Sequence, residues 1–65
     1  MRVLLNGEEI ETEAADLAAF VTERAFDPTV VATALNNDFV PRGQRGETVI
    51  RPGDRIEIVS PRQGG

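Results

Sequence analysis

Arg2-Val3-Leu4-Leu5-Asn6-Gly7-Glu8-Glu9-Ile10-Glu11-Thr12 opens the chain as a complete β-hairpin. Its first four residues read as a strand. Asn6-Gly7 supplies the turn, because both central residues of a type I′ turn need positive φ. The return strand alternates, with Ile10 directed inward between Glu9 and Glu11. A hairpin this small is marginal alone and needs an apolar cover.

The cover comes next in the chain. Over residues 14–25 the period changes: Leu17, Phe20, Val21 and Ala25 recur at i, i+3, i+4 and i+8, one helical stripe. Ala14, Ala15, Ala18 and Ala19 favour a helix. Thr12 and Asp16 both qualify at its start, and Arg24 suits its negative end. Asp27-Pro28 is expected to stop it, since proline disfavours helical geometry in the residue before it. The stripe is read as packing on a sheet rather than on a membrane.

Residues 30–36 form the third strand, so apolar that a central, buried position is expected. Asn36-Asn37-Asp38 is a turn, and Phe39-Val40 a short strand ended by Pro41. Arg42-Gly43-Gln44-Arg45-Gly46-Glu47 reads as irregular. Thr48-Val49-Ile50 is expected to return to the core. Arg51-Pro52-Gly53-Asp54 matches a type II turn, with Pro and Gly at its two central positions. Arg55-Ile56-Glu57-Ile58-Val59 alternates and is the last strand.

The order β-β-α-β-β-β points to an α+β fold, the β-grasp or ubiquitin-like roll. It is a mixed sheet of four to five strands with one helix packed on one face. The last strand is expected in the middle of the sheet, beside and parallel to the first. Residues 1–60 form the domain, and residues 61–65 a flexible tail ending in Gly64-Gly65.

Composition narrows the chemistry. The 65 residues include no Cys, His, Lys or Tyr and a single Ser, Ser60. Side-chain catalysis near neutral pH leans on His, Cys, Lys or a tuned carboxylate, so an enzyme is not expected. No disulfide or Cys/His metal site can form, and the acids Glu8, Glu9, Glu11 and Glu13 lack the spacing of a calcium loop. No phosphate-binding glycine loop is present, so no cofactor is expected on this chain. The net charge of −4 argues against nucleic acid. That charge is uneven: residues 1–39 carry −6 and residues 40–65 carry +2, a polarity suited to orienting a partner. No segment approaches the roughly 20 apolar residues of a membrane span, and no signal peptide is visible, so a cytoplasmic monomer is expected.

Side-chain chemistry being scarce, the terminal carboxylate is the candidate reactive group. Two glycines before it would enter a narrow enzyme channel without a Cβ to obstruct them. Leu4-Leu5-Asn6-Gly7-Glu8, Ala34-Leu35-Asn36-Asn37 with Val40-Pro41-Arg42, and Pro52-Gly53-Asp54-Arg55-Ile56-Glu57-Ile58-Val59 before Gly64-Gly65 together resemble the sulfur carrier proteins of thiamine biosynthesis, the ThiS family. The resemblance spans essentially the whole chain. It implies that an E1-like enzyme adenylates Gly65 with ATP and Mg²⁺. Sulfur from a donor such as a cysteine desulfurase is then installed as a thiocarboxylate, and thiazole synthase receives it. Gly65 is then the carrier residue, with Gly64, Gln63 and Arg62 in the partner's channel. The tail Pro61-Arg62-Gln63 departs from the small or apolar residues common there in the family. The small subunit of molybdopterin synthase shares the roll and the Gly-Gly end. A ubiquitin-like protein modifier is the alternative of another class, although without Lys this chain offers no side-chain amine for polymer formation. Phe39, Val40, Pro41 and Arg42 are the candidate docking face on the partner.

Overall fold

The computed structural model describes residues 1–60. β1 (Arg2–Leu5) and β2 (Glu8–Glu11) form the opening hairpin, with Val3 opposite Ile10. Asn6 and Gly7 take φ of 51° and 86°, both positive as the type I′ reading requires. Helix α1 (Leu17–Glu23) comes next, then β3 (Ala32–Leu35), β4 (Asp38–Val40), a 3₁₀ helix (Arg42–Glu47) and β5 (Arg55–Val59). The sheet order is β2-β1-β5-β3-β4. β5 is therefore central, parallel to β1 and antiparallel to β3, as the sequence order implied.

Three expectations need correction. The helix is shorter than residues 14–25, because Asp16 rather than Thr12 caps it, accepting from the Ala19 N–H at 2.8 Å. Thr12 instead donates its hydroxyl to Glu23 at 2.7 Å and accepts from the Ala14 N–H, tying the approach to the helix's last turn. At the other end, Pro28 does not stop the helix. The chain has already turned at Ala25, which takes φ of 63°. The N–H groups of Ala25 and Phe26 close back on the carbonyls of Thr22 and Val21, a Schellman motif. Ala25 is exposed and leaves the stripe, whereas Leu17, Phe20 and Val21 are buried.

The third correction concerns β3, which lies inside the sheet between β5 and β4 as expected but is not wholly buried. Val30 and Val31 precede it, their N–H groups bonded to the Asp27 carbonyl, and within it only Thr33 is buried. The helix covers one face of the sheet, so among the described residues no element lies over the other face of β3. β5 shows the resulting alternation most clearly: Ile56 and Ile58 are buried, while Arg55, Glu57 and Val59 are exposed. Val3, Leu17, Phe20, Val21, Ile56 and Ile58 centre the core.

Residues 48–50 do return to that core. Ile50 is buried, and the Leu17 N–H and Ile50 N–H bond the carbonyls of Thr48 and Ala15. Gly53, at φ of 87°, completes the Arg51–Asp54 turn, closed by the Asp54 N–H on the Arg51 carbonyl at 3.1 Å.

Candidate functional site

The face of the sheet opposite the helix is built from alternate residues of each strand. Register places Ala34 of β3 between Phe39 of β4 and Glu57 of β5, and Ala32 beside Val59. Phe39 is 70% exposed and Val59 58%, large apolar groups in open solvent. The two alanines between them are small, so Phe39, Val59 and Glu57 rim a shallow depression over Ala32 and Ala34. At the other end of the same face Arg2 pairs with Glu9 at 3.9 Å and Glu11 at 3.4 Å across β1 and β2. The face is thus apolar over β3, β4 and the end of β5, and charged over the opening hairpin.

The structure separates the four residues expected to dock a partner. Phe39 stands on the open face, but its neighbour Val40 points to the core and is 7% exposed. Alternation along β4 requires this: two adjacent strand residues cannot share a face. Pro41 and Arg42 are exposed at the start of the 3₁₀ helix. In Val40's place the fold brings Val59, Ala32 and Ala34 beside Phe39. Val59 could have been found from sequence. It shares the period-2 phase of Arg55 and Glu57 and closes the strand that leads to the tail. The tail domain and its site residues Arg62, Gln63, Gly64 and Gly65 lie outside the described residues.

Among the described residues two titratable groups are displaced from their ordinary values. Hydrogen bonds from Thr29 hold the Asp27 carboxyl below 3.8. Burial, aided by the nearby Arg42 charge, lowers the Arg45 guanidinium. Arg45 is 4% exposed and donates to the Thr33 hydroxyl at 3.0 Å, the Pro28 carbonyl at 3.0 Å and the Val31 carbonyl at 2.7 Å. It staples the 27–31 loop beneath β3 and is structural; its stretch reads as irregular in sequence, and no local signal marks it. Among the described residues no cluster of three or more Asp or Glu could hold a metal ion, and no helix is long and apolar enough to cross a membrane.

The fold has solved counterparts. A crystal structure of a thiamine biosynthesis protein (ThiS) from Geobacter metallireducens matches with a TM-score of 0.84 at 20% identity, covering 100% of both chains. An NMR solution structure of a thiamine biosynthesis protein from the same organism matches with a TM-score of 0.83 at 20% identity, covering 100% of this chain and 88% of that one. At such identity these likenesses establish the fold, a ubiquitin-like β-grasp. No curated protein matches the chain. The ThiS family model matches residues 3–65, nearly the entire sequence and through the final Gly-Gly pair. The chain belongs to the ThiS family.

Proposed function

We propose that this protein is a sulfur carrier of thiamine biosynthesis, and that the carboxylate of Gly65 is its working group. A carboxylate is a poor acyl donor until one oxygen becomes part of a leaving group. In the proposed cycle an E1-like enzyme binds ATP with Mg²⁺, and a Gly65 oxygen attacks the α-phosphorus, expelling pyrophosphate. A persulfide carrying sulfur from a donor such as a cysteine desulfurase then displaces AMP to give an acyl disulfide. A thiol cleaves its S–S bond, leaving sulfur on the terminus while that thiol and the former persulfide carrier join as a disulfide. The terminus becomes a thiocarboxylate, and thiazole synthase takes the sulfur. This chain is a carrier and co-substrate in the cytoplasm, not the catalyst. The single observation that carries the reading is the family match extending to Gly64-Gly65.

The structure supports a division of labour within that cycle. A compact body holds β5 in the middle of the sheet, and β5 leads directly toward the segment that ends at Gly65. Phe39 and Val59 offer the activating enzyme an apolar grip on the same face. Arg62, Gln63 and Gly64 enter its channel, where Gly64 presents no Cβ.

Intact mass measured after incubation with the cognate E1-like enzyme, ATP and a sulfur donor tests the proposal. Replacement of one oxygen by sulfur is the expected result. Covalent attachment to other proteins, or no change of mass, rejects it. Deleting Gly65 should abolish pyrophosphate release while leaving the thermal midpoint unaltered.

A further inference from the structure

β1 runs beside β5 only as far as the pairing of Leu5 with Ile56, because the chain turns back at Asn6-Gly7. The Asn6 N–H still reaches the Ile56 carbonyl at 2.9 Å. Two residues further along β5, Ile58 has no strand beside it on that side among the described residues. Its two backbone groups are taken by one side chain. Asn6 Oδ1 accepts from the Ile58 N–H at 3.0 Å, and Asn6 Nδ2 donates to the Ile58 carbonyl at 3.1 Å. A carboxamide carries a donor and an acceptor, as a peptide group does, so Asn6 stands in for the strand residue that the turn removed.

Asn36 treats the opposite end of β5 in a similar way. Its Oδ1 accepts from the Arg55 N–H at 2.9 Å, and its backbone N–H donates to the Arg55 carbonyl at 2.7 Å. Both asparagines occupy the first left-handed position of their turns, at φ of 51° and 52°. They differ in the part of β5 that each one holds. Asn36 holds the start of the strand, whereas Asn6 holds Ile58, its penultimate residue, just before residues 60–65.

We propose that Asn6 is a positioning residue for the carrier reaction: its carboxamide extends the hydrogen bonding on the β1 side of β5 to Ile58, so that the end of the strand is held on both sides before the chain continues toward Gly65. This role rests on the carrier reading. Without the amide, the β1 side of β5 is held only to Ile56. β3 still pairs with Ile58 and Val59, so the strand end is loosened on one side, and a partner that receives the terminus must restrain that side itself. Ordering about one residue raises KM about tenfold, while a terminus once seated reacts at its normal rate.

Three variants test the role. Asn6→Gly keeps the left-handed turn and removes the amide. Asn36→Gly does the same at the far end of β5 and is the matched control. Asn6→Asp keeps the acceptor but turns a second oxygen toward the Ile58 carbonyl, and it serves if Asn6→Gly fails to fold. In amide exchange, Asn6→Gly should accelerate Ile58 about tenfold, the effect of losing one net hydrogen bond. Asn36→Gly should act at Arg55 instead. With the cognate E1-like enzyme and ATP, pyrophosphate release should show KM raised about tenfold in Asn6→Gly with kcat preserved. KM should rise to a lesser extent in Asn6→Asp and stay unchanged in Asn36→Gly. Equal KM values in the Asn6 variants and Asn36→Gly overturn the proposal, as does full Ile58 protection in Asn6→Gly. Failure of the wild-type protein to be activated overturns the carrier reading, and the role of Asn6 with it. Ile58 exchange then reports the clamp alone.

Discussion

Asp27 illustrates how a single exposed side chain acquires a defined charge state. Its Oδ1 accepts from the Thr29 hydroxyl at 2.7 Å and from the Thr29 N–H at 2.9 Å. Both bonds favour the ionised carboxyl and hold its pKa below the ordinary 3.8. A lowered carboxyl pKa stabilises the folded protein toward higher pH. The contribution to folding is complete above the unfolded value of 3.8 and is lost as pH falls below it, through the lower folded value. An NMR titration of Asp27 should therefore show a midpoint under 3.8, and Thr29→Ala should raise it. A wild-type midpoint at or above 3.8 contradicts the bonding described. Asp27-Pro28-Thr29 is readable as a turn because its bonds are local. Arg45 is not readable, since its acceptors Pro28, Val31 and Thr33 lie 12 to 17 residues away. A charged residue between Gly43 and Gly46 reads as solvated until those acceptors are known to converge on it.

Helix α1 shows what periodicity can and cannot locate. Its buried face, Leu17, Phe20 and Val21, is given by spacing alone. Its end is not, because Ala25 occupies a left-handed position that usually falls to glycine. A Cβ there costs about 1–2 kcal/mol, partly offset by the entropy glycine loses on folding. Ala25→Gly should thus stabilise the protein by about 0.5–1 kcal/mol, read as a rise of a few degrees in the thermal midpoint. A fall in the midpoint would show that the left-handed turn is not what ends the helix. The same geometry explains why sequence credits Pro28 with the stop. Proline is visible in sequence, whereas a left-handed alanine carries no signature.

Across the described residues, one α-helix for five strands leaves one face of the sheet uncovered. The uncovered face divides into an acidic and arginine-bearing edge and an apolar region around Phe39 and Val59. Glu8, Glu9 and Glu11 along β2 also guard an edge strand against pairing with another sheet. Removing Phe39 takes little from the core. Phe39→Ser should change folding stability by no more than about 0.5 kcal/mol, while KM with the activating enzyme rises about tenfold or more, as loss of an aromatic anchor does. The neighbouring Val40→Ala should do the reverse, costing about 2 kcal/mol of stability through the cavity it opens. Identical behaviour of the two variants would mean that the open face is not the docking surface.

The hairpin, the helical stripe, the turn glycines and the β-β-α-β-β-β order were set by local chemistry: positive φ at Asn6-Gly7, period 3.6 at Leu17-Phe20-Val21 and period 2 at residues 55–59. Each involves residues close in the chain, so each can be read along it. Which of Phe39 and Val40 faces the core, the burial of Arg45 and the grip of Asn6 on Ile58 were decided only when strands distant in sequence came side by side. Asn6 and Ile58 are 52 positions apart. Strand order and register determine which side chains meet across such a span, and no local preference of either residue contains that information.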